Sequence, residues 1–445
     1  MNGDITADGV PLTFGDHYVL RLTAGVADDS RMHVGLALRM PGSPPPPAEL
    51  RELVAKKVAT QAPVLACRLV GKGRRARWEP DPAFDPAYHV EYHRVPRGSD
   101  VRQAAVEAMR VRGLPRERPL WSLMVLHGHA DDEHLLCYRA HHAFQDGIGV
   151  ISAFRALLGD HELPSPETTP AWSGSTNRGT GGGAGVGGAL ADLLRLAGPP
   201  PRWFSPATGG PGRHLHVVGL DIEPFHDIAR ATGASVAQIG VSLIAGALRS
   251  WGSGRSGQPQ PGPAAARSVA GGGPGGGVAG GRDVVVALPV ALLGLGRHTG
   301  LGNHAGLIPV TLPCGEPGAI ARLQRVAAQT TLRRLGDARR KARALYRVPA
   351  RLTVPLLRML SPLASLGEAR QLNVSAIHLA RFGHGAREMF VLPPLAPGVA
   401  GMIVVLHAGE AVSFSGIFDA RVSRPDELMG LLRPALTELH AAATR

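Results

Sequence analysis

The sequence predicts a mixed α/β protein made of two similar-sized halves. Two observations support this prediction. Runs in which every second residue is apolar, typical of strands, alternate with runs at helical spacing, and a Gly-rich stretch divides them. The 445 residues are enough for two or three domains with a sizeable core. We expect an α/β domain over residues 1–165, a linker over 166–213, and a second α/β domain over 214–445 with a disordered insertion at 252–282.

The N-terminal half begins with a strand and a helix. In "RMHVGLALRM", the apolar residues fall on one face at a period of two, which predicts a strand. After four prolines, apolar residues recur at helical spacing from Leu50 to Val58, with Pro47 near the start of this helix. Further strands are predicted in "PVLACRLV" and "HLLCYRA". A helix that includes Val150 and Leu158 should end at Gly159.

The C-terminal half repeats the same alternation. Strands are predicted in "HLHVVGLDI", "DVVVALPV", "AGLIPVTL", "MIVVLHAG" and "AVSFSGIFD". Ser235 is positioned to cap a helix that runs through Leu248, and a last helix should span about 425–443. The linker segment "SGSTNRGTGGGAGVGG" is flexible by composition, although the short run "ALADLLRLA" can form a helix. The insertion contains "GGGPGGGVAGG", which lacks the apolar area needed to offset its ordering entropy.

Cysteine usage and the N-terminus favour a cytoplasmic protein. Cys67, Cys137 and Cys314 lie far apart and form no CxxC pair, which excludes a zinc ribbon and a thioredoxin-like motif. The N-terminal "MNGDITADGV" has neither the basic nor the apolar region of a signal peptide. No run of 18 apolar residues predicts a membrane-spanning helix.

The net charge of +13 indicates an anionic partner. The arginines are spread along the chain and no basic run is interleaved with aromatic residues, so nucleic acid is not expected. The segment 333–358 is both basic and apolar. It is either a surface that docks on anionic lipid or CoA phosphates, or a solvated helix face interrupted by Pro349 and Pro355.

The stretch "YRAHHAFQDGIG" carries the chemistry. If it ends a strand, His141 and His142 point to opposite faces, which disfavours a metal site because metal ligands must converge; no metal is expected. One interpretation is a core histidine beside a turn, with Asp146 as a helix cap. The other is general-base catalysis by one neutral imidazole during attack on an acyl carbonyl, with Gly147 leaving room for substrate.

Other motifs are weaker. "GLGRHTG" has the wrong glycine spacing for a dinucleotide fingerprint, and no G-x-S-x-G elbow of a serine hydrolase is present. His304, His378 and His384 are expected to be structural or surface residues.

Several segments together resemble one family. "HHAFQDG" resembles the HHxxxDG signature of peptide-synthetase condensation domains and of bacterial wax ester synthase/diacylglycerol acyltransferases. The second family is favoured by "RMHVG", "DPAFDPAYHV", "RERPLW" and "GNHAGLIPVTLP", which resemble its segments in the right order over most of the chain.

This resemblance implies two chloramphenicol acetyltransferase-like domains with a substrate tunnel between them. Acyl-CoA and an alcohol would enter from opposite faces, with no cofactor, at a cytoplasmic site or at the surface of a membrane or lipid droplet. His142 would be the catalytic base, and His141, Asp146 and Gly147 would complete the motif. Five more residues would contact substrate: Pro119, Leu120 and Trp121 on the acceptor side, and Gly302 with Asn303.

The sequence departs from this family at two places. The usual Asn-Asp pair is absent from "ASVAQIGVSLIAGALR", and the late Asn-Val-Pro-Gly turn appears only as "LNVSAIH". Two alternatives therefore stay open. One is a condensation-type enzyme that acylates a specialised metabolite from a CoA-bound or carrier-bound donor. The other is a non-catalytic lipid-binding relative.

Overall fold

The computed structural model describes residues 9–24, 28–159, 186–196, 213–254, 282–293, 300–348, 351–355, 357, 371–379, 385–420, 422 and 424–445. Within these residues the chain forms three sheets covered by helices, so the predicted α/β class is confirmed.

The described residues of the N-terminal half form seven strands and five α-helices. The strands are β1 Val10–Pro11, β2 His33–Pro41, β3 Cys67–Val70, β4 Arg77–Pro80, β5 Val90–Arg94, β6 Trp121–His127 and β7 Glu133–His141. The helices are α1 Phe14–Leu22, α2 Pro47–Gln61, α3 Pro86–His89, α4 Val101–Val111 and α5 Gly147–Leu158.

In the part of the remaining chain that the structure describes lie seven more strands and seven more helices that carry labels here. The strands are β8 His214–Asp221, β9 Val284–Ala291, β10 Ala305–Leu312, β11 Gln371–Leu379, β12 Glu388–Leu392, β13 Val399–Ala408 and β14 Ala411–Phe418. The helices are α6 Val186–Leu196, α7 Glu223–Thr232, α8 Val236–Gly254, α9 Ala319–Gln329, α10 Leu332–Tyr346, α11 Pro425–Gly430 and α12 Leu432–Ala443. Residues 351–355 are also helical.

Two large sheets organise the molecule. One has the order β12-β2-β7-β6-β5 and the other the order β10-β9-β11-β13-β14-β8, while β1, β4 and β3 form a small third sheet. β7 is the central strand of the five-stranded sheet, and all its residues but the first are buried. Apolar residues of β7 pack on both faces of the sheet, and its buried Arg139 is paired with Glu91. The motif that follows β7 is therefore anchored in the core.

Most predicted elements are confirmed, with local differences in length. In "PVLACRLV" only Cys67–Val70 is a strand, because Pro63 begins a 3-10 turn that ends at Ala66. The predicted last helix is two helices, α11 and α12, which meet at Leu431. Ser235 caps α8 as expected: its hydroxyl accepts from the N–H of Gln238.

The domain boundaries need one correction. β12 lies in the predicted second domain but pairs with β2 in the five-stranded sheet, with Glu388 opposite Arg39. This strand was not among the predicted ones, and its short apolar run gives no indication of which sheet it joins, since partner choice depends on long-range packing. Helix α6 occupies part of the predicted linker, and Gly188 lies against Lys341 of α10. The remaining linker and the Gly-rich insertion fall largely outside the described residues.

Among the described helices, none alone has the length and apolar character to cross a bilayer. The pair Glu223–Thr232 and Val236–Gly252, bent by 101°, meets those criteria only when the two are taken together.

Candidate active site

His142 lies directly after β7, at the wall of a cavity of about 370 Å³. Its backbone N–H donates to the carbonyl of Met32 at 2.8 Å, which fixes the residue against the start of β2. The cavity wall combines residues of α1, β2 and the motif with residues of β9, β10, β11 and β13. The side chain is half-buried, and it borders a cavity that is lined by residues of both large sheets.

The hydrogen bonding of His142 determines its tautomer. Nδ1 lies 3.0 Å from the backbone carbonyl oxygen of Gln145. Because a carbonyl oxygen only accepts, Nδ1 carries the proton and Nε2 keeps its lone pair. Burial lowers the pKa of His142 below 6.5, against the opposing effects of the Gln145 carbonyl and the carboxylates of Asp146 and Asp16. The ring is therefore neutral at neutral pH, with a basic nitrogen at Nε2.

His141 has the opposite arrangement. Its Nδ1 accepts from the N–H of Ala143 at 3.1 Å, so the proton is on Nε2. The ring is buried, lies edge-on to His33 with centroids 6.0 Å apart, and its Nε2 has no hydrogen-bond partner among the described residues. Burial lowers the pKa of His141 to about 3. With its lone pair engaged by the main chain, His141 is placed to hold the turn.

Asp146 connects the motif to the second half of the chain. One carboxylate oxygen accepts from the N–H of Gly149 at 2.8 Å and caps α5, as the sequence predicted. The other accepts from the N–H of His304 at 2.8 Å. Gly147 is the first residue of α5 and lines the cavity.

The loop before β10 is fastened to the motif at several points. The N–H of Gly302 donates to the carbonyl of Phe144 at 2.6 Å, and Gly302 has a φ of +83°, a left-handed conformation that favours glycine. The Asn303 side chain donates from Nδ2 to the carbonyl of His142 at 3.0 Å and accepts from the N–H of Ala305 at Oδ1. Because both polar atoms of Asn303 are engaged within the protein, its geometry fits positioning of His142 better than the predicted contact with substrate.

Asp16 is a site residue that the sequence reasoning missed. It is fully buried on α1, and its carboxylate accepts four kinds of donor: Thr13 N and Oγ1, Trp78 Nε1 and Asn303 N, at 2.6–3.0 Å. Burial raises the pKa of Asp16, while these hydrogen bonds lower it. Asp16 is linked to His142 through Asn303, whose backbone N–H donates to Asp16 and whose side chain donates to the His142 carbonyl. The Thr-x-x-Asp spacing of a capping box in "LTFGD" was the available signal.

The predicted acceptor-side residues lie elsewhere. Pro119, Leu120 and Trp121 are buried, and none of the three lines the described cavity. The carbonyl of Leu120 accepts from the N–H of His141 at 2.9 Å, and the Trp121 ring stacks on His89 with centroids 4.5 Å apart. A bulky apolar triplet beside a catalytic strand has the same sequence pattern whether it faces a tunnel or the core. Here it supports the strand that carries the motif.

Polar groups are a minority of the cavity wall. Among the described residues, no group of three or more His, Cys, Asp or Glu side chains is arranged to hold a metal ion. Tyr346 of α10 lines the cavity and shares its single hydroxyl hydrogen between the carbonyl oxygens of Asn303 and Ala305, which lie 3.0 and 2.9 Å away. The arrangement offers one basic nitrogen, two buried carboxylates near it and a mostly apolar enclosure.

The amino-acid sequence is similar to a family of acyltransferases and to two of the proteins named after it. A model of the wax ester synthase/diacylglycerol acyltransferase catalytic domain matches residues 25–202. A Mycobacterium tuberculosis protein that carries the provisional name diacylglycerol O-acyltransferase is 24% identical over 411 residues, covering 82% of this chain and 79% of its own. Another from the same organism, tgs2, is 27% identical over 252 residues, covering 49% of this chain and 55% of its own.

Solved structures share the fold over nearly the whole chain. The wax ester synthase/diacylglycerol acyltransferase of Marinobacter aquaeolei VT8 has a TM-score of 0.59 and 17% identity, and the match covers 98% of this chain and 100% of that one. The first condensation domain of the CDA synthetase has a TM-score of 0.60 and 18% identity, with coverage of 98% and 96%. The starter condensation domain of rhizomide synthetase, solved with C8-CoA, has a TM-score of 0.60 and 16% identity, with coverage of 100% and 97%.

Proposed function

Because the chain is a divergent member of the wax ester synthase/diacylglycerol acyltransferase family, we propose that it transfers an acyl group from acyl-CoA to a hydroxyl group, with His142 as the general base. The observation that carries this proposal is the tautomer of His142. Its Nδ1 proton is fixed on the Gln145 carbonyl, so the Nε2 lone pair remains free beside a cavity bordered by both sheets.

The reaction needs only the two substrates and one side chain. The acceptor hydroxyl gives its proton to Nε2 of His142 as its oxygen bonds to the thioester carbonyl carbon. The resulting tetrahedral intermediate breaks its C–S bond, and the leaving thiolate takes the proton from the imidazolium. The products are an ester and free CoA, and the imidazole is again neutral. No cofactor takes part in these reaction steps.

The surroundings of His142 suit both charges that develop. The anionic forms of Asp16 and Asp146 favour the imidazolium that forms during attack, as the direction of their effect on the pKa of His142 indicates. The first turn of α5 begins at Gly147, on the cavity wall; Asp146 takes the N–H of Gly149, so the N–H groups of Gly147 and Ile148 are the ones left to face a ligand. The positive end of this helix is suited to the negative oxygen of the intermediate.

A condensation-type reaction is the second candidate. The fold matches condensation domains as well as it matches the wax ester synthase, with TM-scores of 0.60 and 0.59. In this case the donor would be a carrier-bound thioester, and the acceptor a hydroxyl or amine of a specialised metabolite. The chemistry at His142 would be the same.

We also propose a cytoplasmic location with contact at an anionic lipid surface. Arg333, Arg334 and Arg347 on and just after α10 are exposed, and Leu332 and Leu352 nearby are 48% and 55% exposed. Adjacent basic and apolar side chains favour binding to anionic headgroups. Flotation with vesicles that contain or lack anionic lipid tests this, and equal recovery with both would contradict it.

The activity is tested with a matrix of donors and acceptors. Purified protein is incubated with acyl-CoAs of short to long chain and with alcohols, glycerides and amines, while free thiol and product mass are recorded. We expect thiol release that depends on an acceptor, and an ester of matching mass. Product from a carrier-bound thioester but from no acyl-CoA would favour the condensation-type reaction. Lipid binding without turnover of either donor would favour the non-catalytic alternative.

A further inference from the structure

One wall of the cavity is polar. β11 alternates its side chains, and Asn373, Ser375 and Ile377 are its three residues on the cavity wall. Their neighbours on β13, Met402, Val404 and Leu406, are apolar. A carboxamide and a hydroxyl therefore project from an otherwise apolar floor.

Asn373 holds a buried acceptor that the protein does not use. Its Oδ1 is inaccessible to solvent and has no hydrogen-bond partner among the described residues. Most buried polar atoms in native proteins are paired, because an unpaired one keeps its full desolvation cost. Oδ1 is closed to solvent while the residue lines the cavity, so a donor carried by a ligand would meet this oxygen once the carboxamide turns about its Cβ–Cγ bond.

The described pairing between β9 and β11 ends at this position. β11 pairs with β13 along its whole described length, whereas its described pairing with β9 is confined to Asn373 opposite Ala287. Pro289, two residues further along β9, lines the cavity. The cavity therefore extends over the point where β9 and β11 separate, and Asn373 lies at that point.

The strand gives the distance between Asn373 and the catalytic turn. A Cβ placed on Gly147 would lie 3.9 Å from Cδ1 of Ile377, so Ile377 is next to the catalytic turn. Asn373 lies four positions before Ile377, which is ~13 Å at the usual rise of a strand. A saturated alcohol or acyl chain passing over this floor would leave Asn373 unpaired.

We propose that Asn373, assisted by Ser375, is a subsite for a hydrogen-bond donor that the substrate carries at about this distance from its reacting atoms. The inference rests on the proposed acyl transfer and narrows its substrates. The donor group is an amide N–H of the pantetheine arm of CoA or a second hydroxyl or amide on the acceptor. Both present the same chemistry to a carboxamide.

The test compares Asn373→Leu with wild type and with a matched control, Met402→Leu. Met402 pairs with Asn373 across β11 and β13 and lines the same cavity, so its conservative substitution alters shape without removing a polar group. Ser375→Ala is a second variant with a smaller change of side chain, and its kcat/KM is compared with that of wild type if Asn373→Leu does not fold. Each protein is assayed for kcat/KM after its Tm is measured.

Two substrate comparisons identify the source of the donor. The first uses one acyl group on CoA and on N-acetylcysteamine, which lacks the outer amide of the pantetheine arm. The second uses a saturated primary alcohol and the α,ω-diol of equal chain length. A lost hydrogen bond with an unpaired partner should lower kcat/KM roughly tenfold in Asn373→Leu. A loss with CoA but not with N-acetylcysteamine assigns the donor to the pantetheine arm, and a loss with the diol but not with the alcohol assigns it to the acceptor.

The subsite is refuted if Asn373→Leu and Ser375→Ala match wild type with all four substrates, or if Met402→Leu shows the same loss. If wild type turns over none of them, the proposed function fails. The subsite is then tested alone by calorimetry with a non-hydrolysable CoA thioether and with the diol. Equal dissociation constants for wild type and Asn373→Leu toward both ligands would overturn it.

Discussion

Replacing His141 with Asn should make the protein more resistant to acid while leaving catalysis largely intact. His141 is buried and neutral in the folded state, where its pKa is about 3, against an ordinary value of 6.5. Below pH 6.5 the unfolded chain binds a proton that the folded chain does not. The free energy of unfolding therefore carries no penalty from His141 above pH 6.5, and it falls progressively as the pH is lowered from 6.5 toward 3.

The magnitude follows from that pKa difference. pH 5 lies about 1.5 units below the ordinary pKa of histidine. Protonation of His141 therefore stabilises the unfolded state by about 2 kcal/mol at this pH, while the folded state gains almost nothing. Asn removes this penalty. Its Oδ1 can accept from the N–H of Ala143, as Nδ1 of His141 does at 3.1 Å, because Asn side chains bond to the backbone two residues on.

The assay is urea unfolding at pH 8 and pH 5 for both proteins. Wild type should lose about 2 kcal/mol more than His141→Asn between these two pH values. The buried His89 is present in both proteins, so its own acid sensitivity cancels in the comparison. Equal losses would refute the reasoning, because they would mean that His141 is not held neutral by burial.

Three further substitutions test the environment of the base. Asp16→Asn removes a negative charge that raises the pKa of His142, so the acid limb of kcat/KM against pH should move to lower pH; an unchanged or higher position would contradict the proposed electrostatic effect. Gly147→Ala should fold with an unchanged Tm, since its Cβ would meet only Cδ1 of Ile377 at 3.9 Å, but should lower kcat/KM if substrate passes there; full activity would show that it does not. Gly15→Ala should destabilise by about 1–3 kcal/mol in urea titrations, since its Cβ would lie 2.6 Å from the carbonyl of Asn303, and wild-type stability would contradict this tight approach.

Local patterns predicted the elements of the fold and the motif well. The period-two run of β2 and the cap of α5 at Asp146 both depend on neighbouring residues along the chain. Such interactions join residues that are close together along the chain, so the spacing of residue types predicts them. The sequence was sufficient for them because no distant partner determines them.

Long-range packing was beyond the same reasoning. Asp16 is 126 positions from His142 and reaches it only through the loop at Asn303, an arrangement that no local spacing encodes. Trp121 was expected on the substrate side and lies in the core, since an apolar side chain suits either place. The role proposed for Asn373 became visible only when its orphaned oxygen was located on the cavity wall.

The central claim is that Nε2 of His142 removes the acceptor proton. The most direct measurement is acceptor-dependent thiol release by wild type, His142→Gln and His141→Asn under identical conditions. We predict that His142→Gln loses roughly 10²–10⁴-fold in kcat while His141→Asn stays within about tenfold of wild type, both remaining folded. Wild-type turnover by folded His142→Gln, or equal losses in both variants, would contradict the account.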